Sequence, residues 1–194
     1  IRLVILASFY RSKDNQFNLT KHTNMKKIIL LQEIFQCKLE ELSPDEQEMI
    51  LKARKATKGS YSPYSGFEVG CTIQLDDLTI IEDGSNYENA AYTVTTCAER
   101  VLLHYLHVTH QTEKIIKIAV TAKHKSEGVD YVGETPVAPC GVCRQSLKEV
   151  EDRIGKQLIF LLDGFNNDKI YRVIGIDSLL PLGFGPASLG MTVK

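Results

Sequence analysis

The sequence predicts an α/β fold, a three-layer α/β/α sandwich around a mixed sheet of about five strands. Three observations carry that expectation. Residues 67–75 and 79–82 have the alternation and the intervening Asp76-Asp77 turn of a half-buried hairpin. Residues 114–121 and 158–162 are β-rich apolar runs of the kind buried on both faces. Helical patterns separate these runs, and helices alternating with strands after an initial hairpin place helices on both sides of one sheet.

Taken in order, Ser43-Pro44-Asp45-Glu46 reads as a capping box with proline at the first helical position, opening a helix to about Thr57. A turn-rich loop, residues 58–66, leads into the hairpin. The chain then crosses through Asn86, Glu88 and Asn89 toward a helix beginning near Thr96, on which Ala98, Val101, Leu102, Tyr105 and Leu106 share one apolar face. The strand at 114–121 follows, then a charged, glycine-containing surface loop at 123–135. A helix over about 140–151, the strand at 158–162, a turn at Asp163-Gly164 and a strand at 170–173 complete the fold. The folded domain is therefore expected to span residues 43–194. Residues 1–42 read as an amino-terminal extension, partly disordered or non-native, with Met25 as a candidate start. The short apolar run Leu3-Val4-Ile5-Leu6-Ala7 lacks a cleavage site of the secretory kind.

At 194 residues and 43% hydrophobic content the chain can bury one good core. Its 23 basic and 24 acidic side chains nearly cancel and it has no Trp, so neither a nucleic acid strand nor a lipid surface is favoured as partner. No apolar run reaches the length of a membrane span. The odd total of five cysteines suits reduced thiols and a cytoplasmic metal site better than a disulfide scaffold.

Cys97-Ala98-Glu99 and Pro139-Cys140-Gly141-Val142-Cys143 each stand at the mouth of a helix. Together they offer three soft ligands and one acid, the pattern of zinc-dependent deaminases. Structural zinc is closed by four protein ligands, whereas catalytic zinc keeps three and leaves the last position to water, whose pKa it lowers toward about 7. One Zn2+ held by Cys97, Cys140 and Cys143 is therefore expected, with Glu99 placed to move the water's proton. Three thiolates leave the dication with a net negative charge. Two helix amino ends and the adjacent Arg100 can offset it. Thr96 to Glu99 also fits a capping box in which the glutamate merely satisfies backbone donors. Cys37 and Cys71 read as small core residues rather than as a fourth ligand, and His104 and His107 as a solvated flank.

From about Ser43 to Leu189 the chain resembles the cytidine deaminase family, in particular its small homotetrameric branch. Tyr61-Ser62-Pro63-Tyr64-Ser65-Gly66-Phe67-Glu68-Val69-Gly70 is similar to that family's opening signature, which implies that Phe67 lines a nucleoside pocket. Asn86-Tyr87-Glu88-Asn89 resembles an element that assigns ribose recognition to Asn86 and Glu88. The resemblance further implies that the Ala98 amide meets the pyrimidine carbonyl and that Arg100 bonds the metal-bound sulfurs. Leu179-Leu180-Pro181-Leu182-Gly183-Phe184-Gly185-Pro186 looks like the family's tail, whose phenylalanine reaches a neighbouring subunit's base pocket. Phe184 and Tyr92 would thus complete active sites shared between subunits of a homotetramer. The implied activity is hydrolytic deamination of cytidine and deoxycytidine in pyrimidine salvage. The rivals are a deaminase of another aminopyrimidine nucleoside such as blasticidin, and a non-catalytic zinc-stabilised interaction module.

Overall fold

A computed structural model of the chain describes residues 28–125, 135–165 and 168–191. The chain divides into two compact units, residues 1–31 and 32–194, and the architecture below is that of the second. Most of the amino-terminal extension and of the 123–135 loop lies outside the described residues.

Its elements run β1 (Ile34–Cys37), α1 (Pro44–Ala56), β2 (Phe67–Leu75), β3 (Ile80–Ser85), α2 (Ala98–Val108), β4 (Ile115–His124), α3 (Gly141–Ile154), β5 (Ile159–Asp163) and β6 (Ile170–Ile174). The sheet has six strands in the order β1-β6-β5-β4-β2-β3, one more than the sequence predicts. The sixth is β1, which lies in the segment read as extension and pairs antiparallel with β6, Ile34 opposite Val173. Among the described strands only β4 and β5 run parallel, with Lys117 opposite Ile159, and α3 lies in the crossover between them. The mixed sheet is the expected one.

Side chains alternate between the two faces as a pleated strand requires. Ile73, Leu75, Ile118, Val120, Phe160 and Leu162 point to the side covered by α2 and α3, where they join Leu102, Leu106 and Leu147 in the larger core. Ala119, Leu161 and Ile170 point the other way and pack with Met49, Ile50 and Ala53 of α1. Each fully buried aliphatic or aromatic side chain contributes on the order of 1.5–3 kcal/mol by leaving water. Gly70 shows how closely α1 lies on the sheet: a Cβ there would come within 2.0 Å of the Ala53 carbonyl oxygen.

Two local expectations are corrected. The helix at Ser43 starts as predicted, but the Ser43 side chain makes no cap bond to the backbone; its hydroxyl donates to Asp45 instead, at 2.5 Å. Glu46, the other half of the expected box, is buried and accepts from Lys117 and Arg172 at 3.2 Å. On α2 the buried face is Ala98, Leu102, Leu103 and Leu106, with Tyr105 half exposed. Leu103 turns inward in its place, and leaving the side chain with a polar tip partly in water is the cheaper arrangement.

Candidate active site

The parallel β4–α3–β5 unit and the preceding helix α2 bring two helix amino ends together. Cys97 is the N-cap of α2 and Cys140 the N-cap of α3, both in extended backbone conformation, and Cys143 sits one turn into α3. Cys97 Sγ lies 3.7 Å from Cys140 Sγ, which lies 3.4 Å from Cys143 Sγ. All three sulfurs fall within 4.8 Å of one another. A tetrahedral zinc with bonds of about 2.3 Å separates its sulfurs by roughly 3.8 Å, so the donor set fits zinc in kind and in spacing. Among the described residues no further histidine, cysteine or carboxylate joins the cluster. Cys71 is fully buried in β2, and Cys37 stands at the opposite edge of the sheet with its thiol toward the Ile170 carbonyl. Neither can close a four-cysteine site.

The electrostatics favour negative charge on the sulfur nearest α2. A hydrogen bond from Cys143, a second from Cys140 and the Arg100 charge together outweigh burial and draw the Cys97 thiol down to about 5. Cys143 is pushed the opposite way as the proton donor of that pair and by burial. Zinc must displace this proton to bind, since thiolates are the ligands.

Glu99 is 3% exposed and occupies the second position of α2. The helix starts one residue later than a Thr96–Glu99 capping box requires, so the box does not form. Burial raises the Glu99 pKa, and the charge on Cys97 raises it further; its carboxyl meets its own amide and Cys143. Arg100 donates to the Thr95 carbonyl at 2.6 Å while its guanidinium lies against Cys97. Ala98 is the first helical residue, whose amide has no partner within the helix.

The segment carrying Asn86 and Glu88 is stitched between the turn at Tyr61 and the strand-like approach to Cys97. Tyr87 and Thr96 exchange backbone hydrogen bonds of 2.9 Å, and Tyr61 bonds Asn86 and Glu88 from the other side. Asn86 accepts from the Ser60 hydroxyl at 2.6 Å and the Val69 amide at 2.8 Å, and donates to the Phe67 carbonyl at 3.0 Å. The Glu88 carboxylate accepts from the Tyr64 amide at 2.9 Å, the Ser65 amide at 3.2 Å and the Ser65 hydroxyl. Burial alone would raise the Glu88 pKa, but these hydrogen bonds win and hold it below the ordinary value.

Cys97, Cys140, Cys143, Glu99 and Arg100 thus form one cluster, and Asn86, Glu88 and Phe67 are joined to it through the Tyr87–Thr96 bridge. Tyr92 and Phe184 stand apart at the surface, 72% and 57% exposed, with the Tyr92 ring edge-on to Tyr64 at 5.9 Å. Sequence reasoning missed Ser60 and Ser65, which orient the two polar residues. Both are visible as turn formers, yet their long-range partners leave no local pattern.

The family model described as cytidine and deoxycytidylate deaminase zinc-binding region matches residues 43–160. The chain is 39% identical to a cytidine deaminase of Halalkalibacterium halodurans over 106 residues, 55% of this chain and 72% of that protein. It is 35% identical over 138 residues to a cytidine deaminase of Mycoplasma genitalium, 70% of this chain and 92% of the relative. Among solved structures, a cytidine deaminase from Burkholderia pseudomallei superposes with a TM-score of 0.58 at 32% identity, over 71% of this chain and 97% of the other. The Mycobacterium tuberculosis cytidine deaminase gives 0.55 at 29% identity, over 74% and 99%.

Proposed function

The chain belongs to the cytidine and deoxycytidylate deaminase family and is a zinc-dependent hydrolytic enzyme acting on cytidine, and we propose how its own residues perform that reaction. Cytidine and water give uridine and ammonia; we assign deoxycytidine as a second substrate and pyrimidine salvage as the setting. Cys97, Cys140 and Cys143 would hold the metal, which when bound supplies a water acidic enough to act as nucleophile near neutral pH.

Glu99 takes one proton from the water and gives it to the pyrimidine ring nitrogen, then carries a second proton to the departing amino group. Its burial suits both tasks, because a raised pKa brings the carboxyl closer to the working pH of a proton carrier. We assign the Ala98 amide, which has no partner within the helix, to donate to the pyrimidine carbonyl, and Arg100 to stabilise the ligand thiolate. Asn86 uses both its acceptor bonds and one of two donor hydrogens on the protein, and Glu88 accepts three bonds where a carboxylate offers about four sites. One donor and one acceptor remain. A sugar hydroxyl both donates and accepts, so the pair complements a ribose hydroxyl, with Phe67 fixed beside it.

Exposed Tyr61, Tyr64, Tyr87, Tyr92, Val94, Val142 and Phe184 leave much apolar surface on one chain. This supports a homotetramer in which Phe184 and Tyr92 reach neighbouring subunits' sites. Among the described residues no helix is long and apolar enough to cross a membrane. A ligand set of three free thiols suits the reducing cytoplasm, where we place the enzyme.

The observation that carries this reading is the three-sulfur cluster with the buried Glu99 carboxyl against it. Turnover of cytidine and of blasticidin is to be compared by absorbance before and after metal chelation. Metal-dependent conversion of cytidine to uridine, faster than that of the antibiotic, is expected; preference for blasticidin overturns the substrate assignment.

A further inference from the structure

Helix α3 does more than present two of the cysteines. The residues directly after Cys143 hold the carboxyl-terminal tail. Arg144 donates through Nε to the Pro139 carbonyl at 2.7 Å and through a terminal nitrogen to the Leu179 carbonyl at 2.7 Å. Its own amide donates to the Cys140 carbonyl at 2.9 Å. One side chain therefore links the residue before Cys140 to the start of the tail. Gln145, the next residue, donates to the Phe184 carbonyl at 2.8 Å. The following turns of α3 continue the contact. Glu151 accepts the Ile176 amide at 2.9 Å, and a Cβ on Gly185 would come within 2.6 Å of the Asp152 carboxylate.

Phe184 itself is largely exposed, so its place is set by backbone ties and not by burial of its ring. Gln145 is the side chain that grips its carbonyl. We propose that Arg144 and Gln145 are positioning residues, a two-point tie through which the metal-bearing helix fixes the tail and aims Phe184. The role given to Phe184 rests on the reading above, in which its ring completes a substrate pocket.

Two consequences separate this from a general contribution to folding. Gln145 is exposed, so losing its amide should release the tail near Phe184 and leave the core intact. Arg144 must span two carbonyls, which a planar guanidinium does and a single ammonium does not.

The test uses the zinc-loaded full chain as wild type, Gln145→Ala, Arg144→Ala and Arg144→Lys. Steady-state kinetics with cytidine, metal content and amide hydrogen exchange over residues 180–185 are measured for each. Gln145→Ala is expected to keep one zinc per chain, to raise KM about fivefold with kcat changed less than twofold, and to speed tail exchange about fivefold. Arg144→Lys should resemble Arg144→Ala in tail exchange. Unchanged KM and exchange in Gln145→Ala overturn the proposal, and so does full recovery of both by Arg144→Lys. A wild type that leaves cytidine untouched defeats the deaminase reading instead, and the exchange comparison then still decides whether the tie exists.

Discussion

Asn86 and Glu88 show that a residue's neighbours decide what chemistry it has left to offer. Each spends most of its hydrogen-bonding capacity on residues 60–69, the loop and the start of β2, and keeps one group free. Ser65 supplies two of the three donors on Glu88, through its amide and its hydroxyl. Ser65→Ala removes the hydroxyl only, and a hydrogen bond to a charged acceptor is worth on the order of 1.5–3 kcal/mol. The variant is expected to raise KM for cytidine about tenfold with kcat little changed and zinc retained. An unaltered KM would show that Glu88 needs no such orientation. The cysteines and Glu99 were legible at this scale, because ligand type and spacing are local properties of a sequence. Ser60, Ser65 and the ties of Arg144 were not, since their partners lie far along the chain and any small polar residue in a turn looks the same.

Strands β4 and β5 were legible as elements because an apolar run has few other places to go. Strand β1 was not: Ile34-Phe35-Gln36-Cys37 has only four residues and is half exposed, and it is a strand because β6 offers it an edge. The starts of α1 and α2 are legible within two residues, but the Ser43 capping box does not form because Lys117 and Arg172 hold Glu46, and the alternative box at Thr96 fails because α2 begins one residue too late for it. Glu151 is a similar long-range staple, joining α3 to the Leu158 amide at 2.8 Å and the Ile176 amide at 2.9 Å. Burial raises its pKa above the ordinary 4.5 in spite of these bonds. A carboxyl with a raised folded-state pKa gives stability that is fully present below the unfolded value and is lost as pH rises through the folded value. Glu151→Gln keeps an acceptor without the charge. Urea unfolding from acid to neutral pH should show the variant gaining on wild type as pH rises, and parallel curves would refute the sign.

At the scale of the whole molecule, one sheet with α2 and α3 on the same face suffices to gather three sulfurs and a carboxyl, and the exposed aromatic side chains support the tetramer proposed above. Sedimentation should give a mass four times the 21.8 kDa of the chain, with specific activity falling on dilution as the assembly comes apart. A monomer of full activity would contradict the shared-site reading. The resemblance implies such an assembly from Phe184 and Tyr92, but no hydrophobic pattern does, because exposed aromatics are spaced by surface geometry and not by helix or strand period. The most direct test of Glu99 as the proton carrier at a zinc site pairs zinc content with cytidine turnover in wild type and Glu99→Ala. One zinc per chain is expected in both proteins, with a rate lower by about 10²–10⁴-fold in the variant. Undiminished turnover by a zinc-loaded Glu99→Ala, or an active wild type without zinc, would overturn that role.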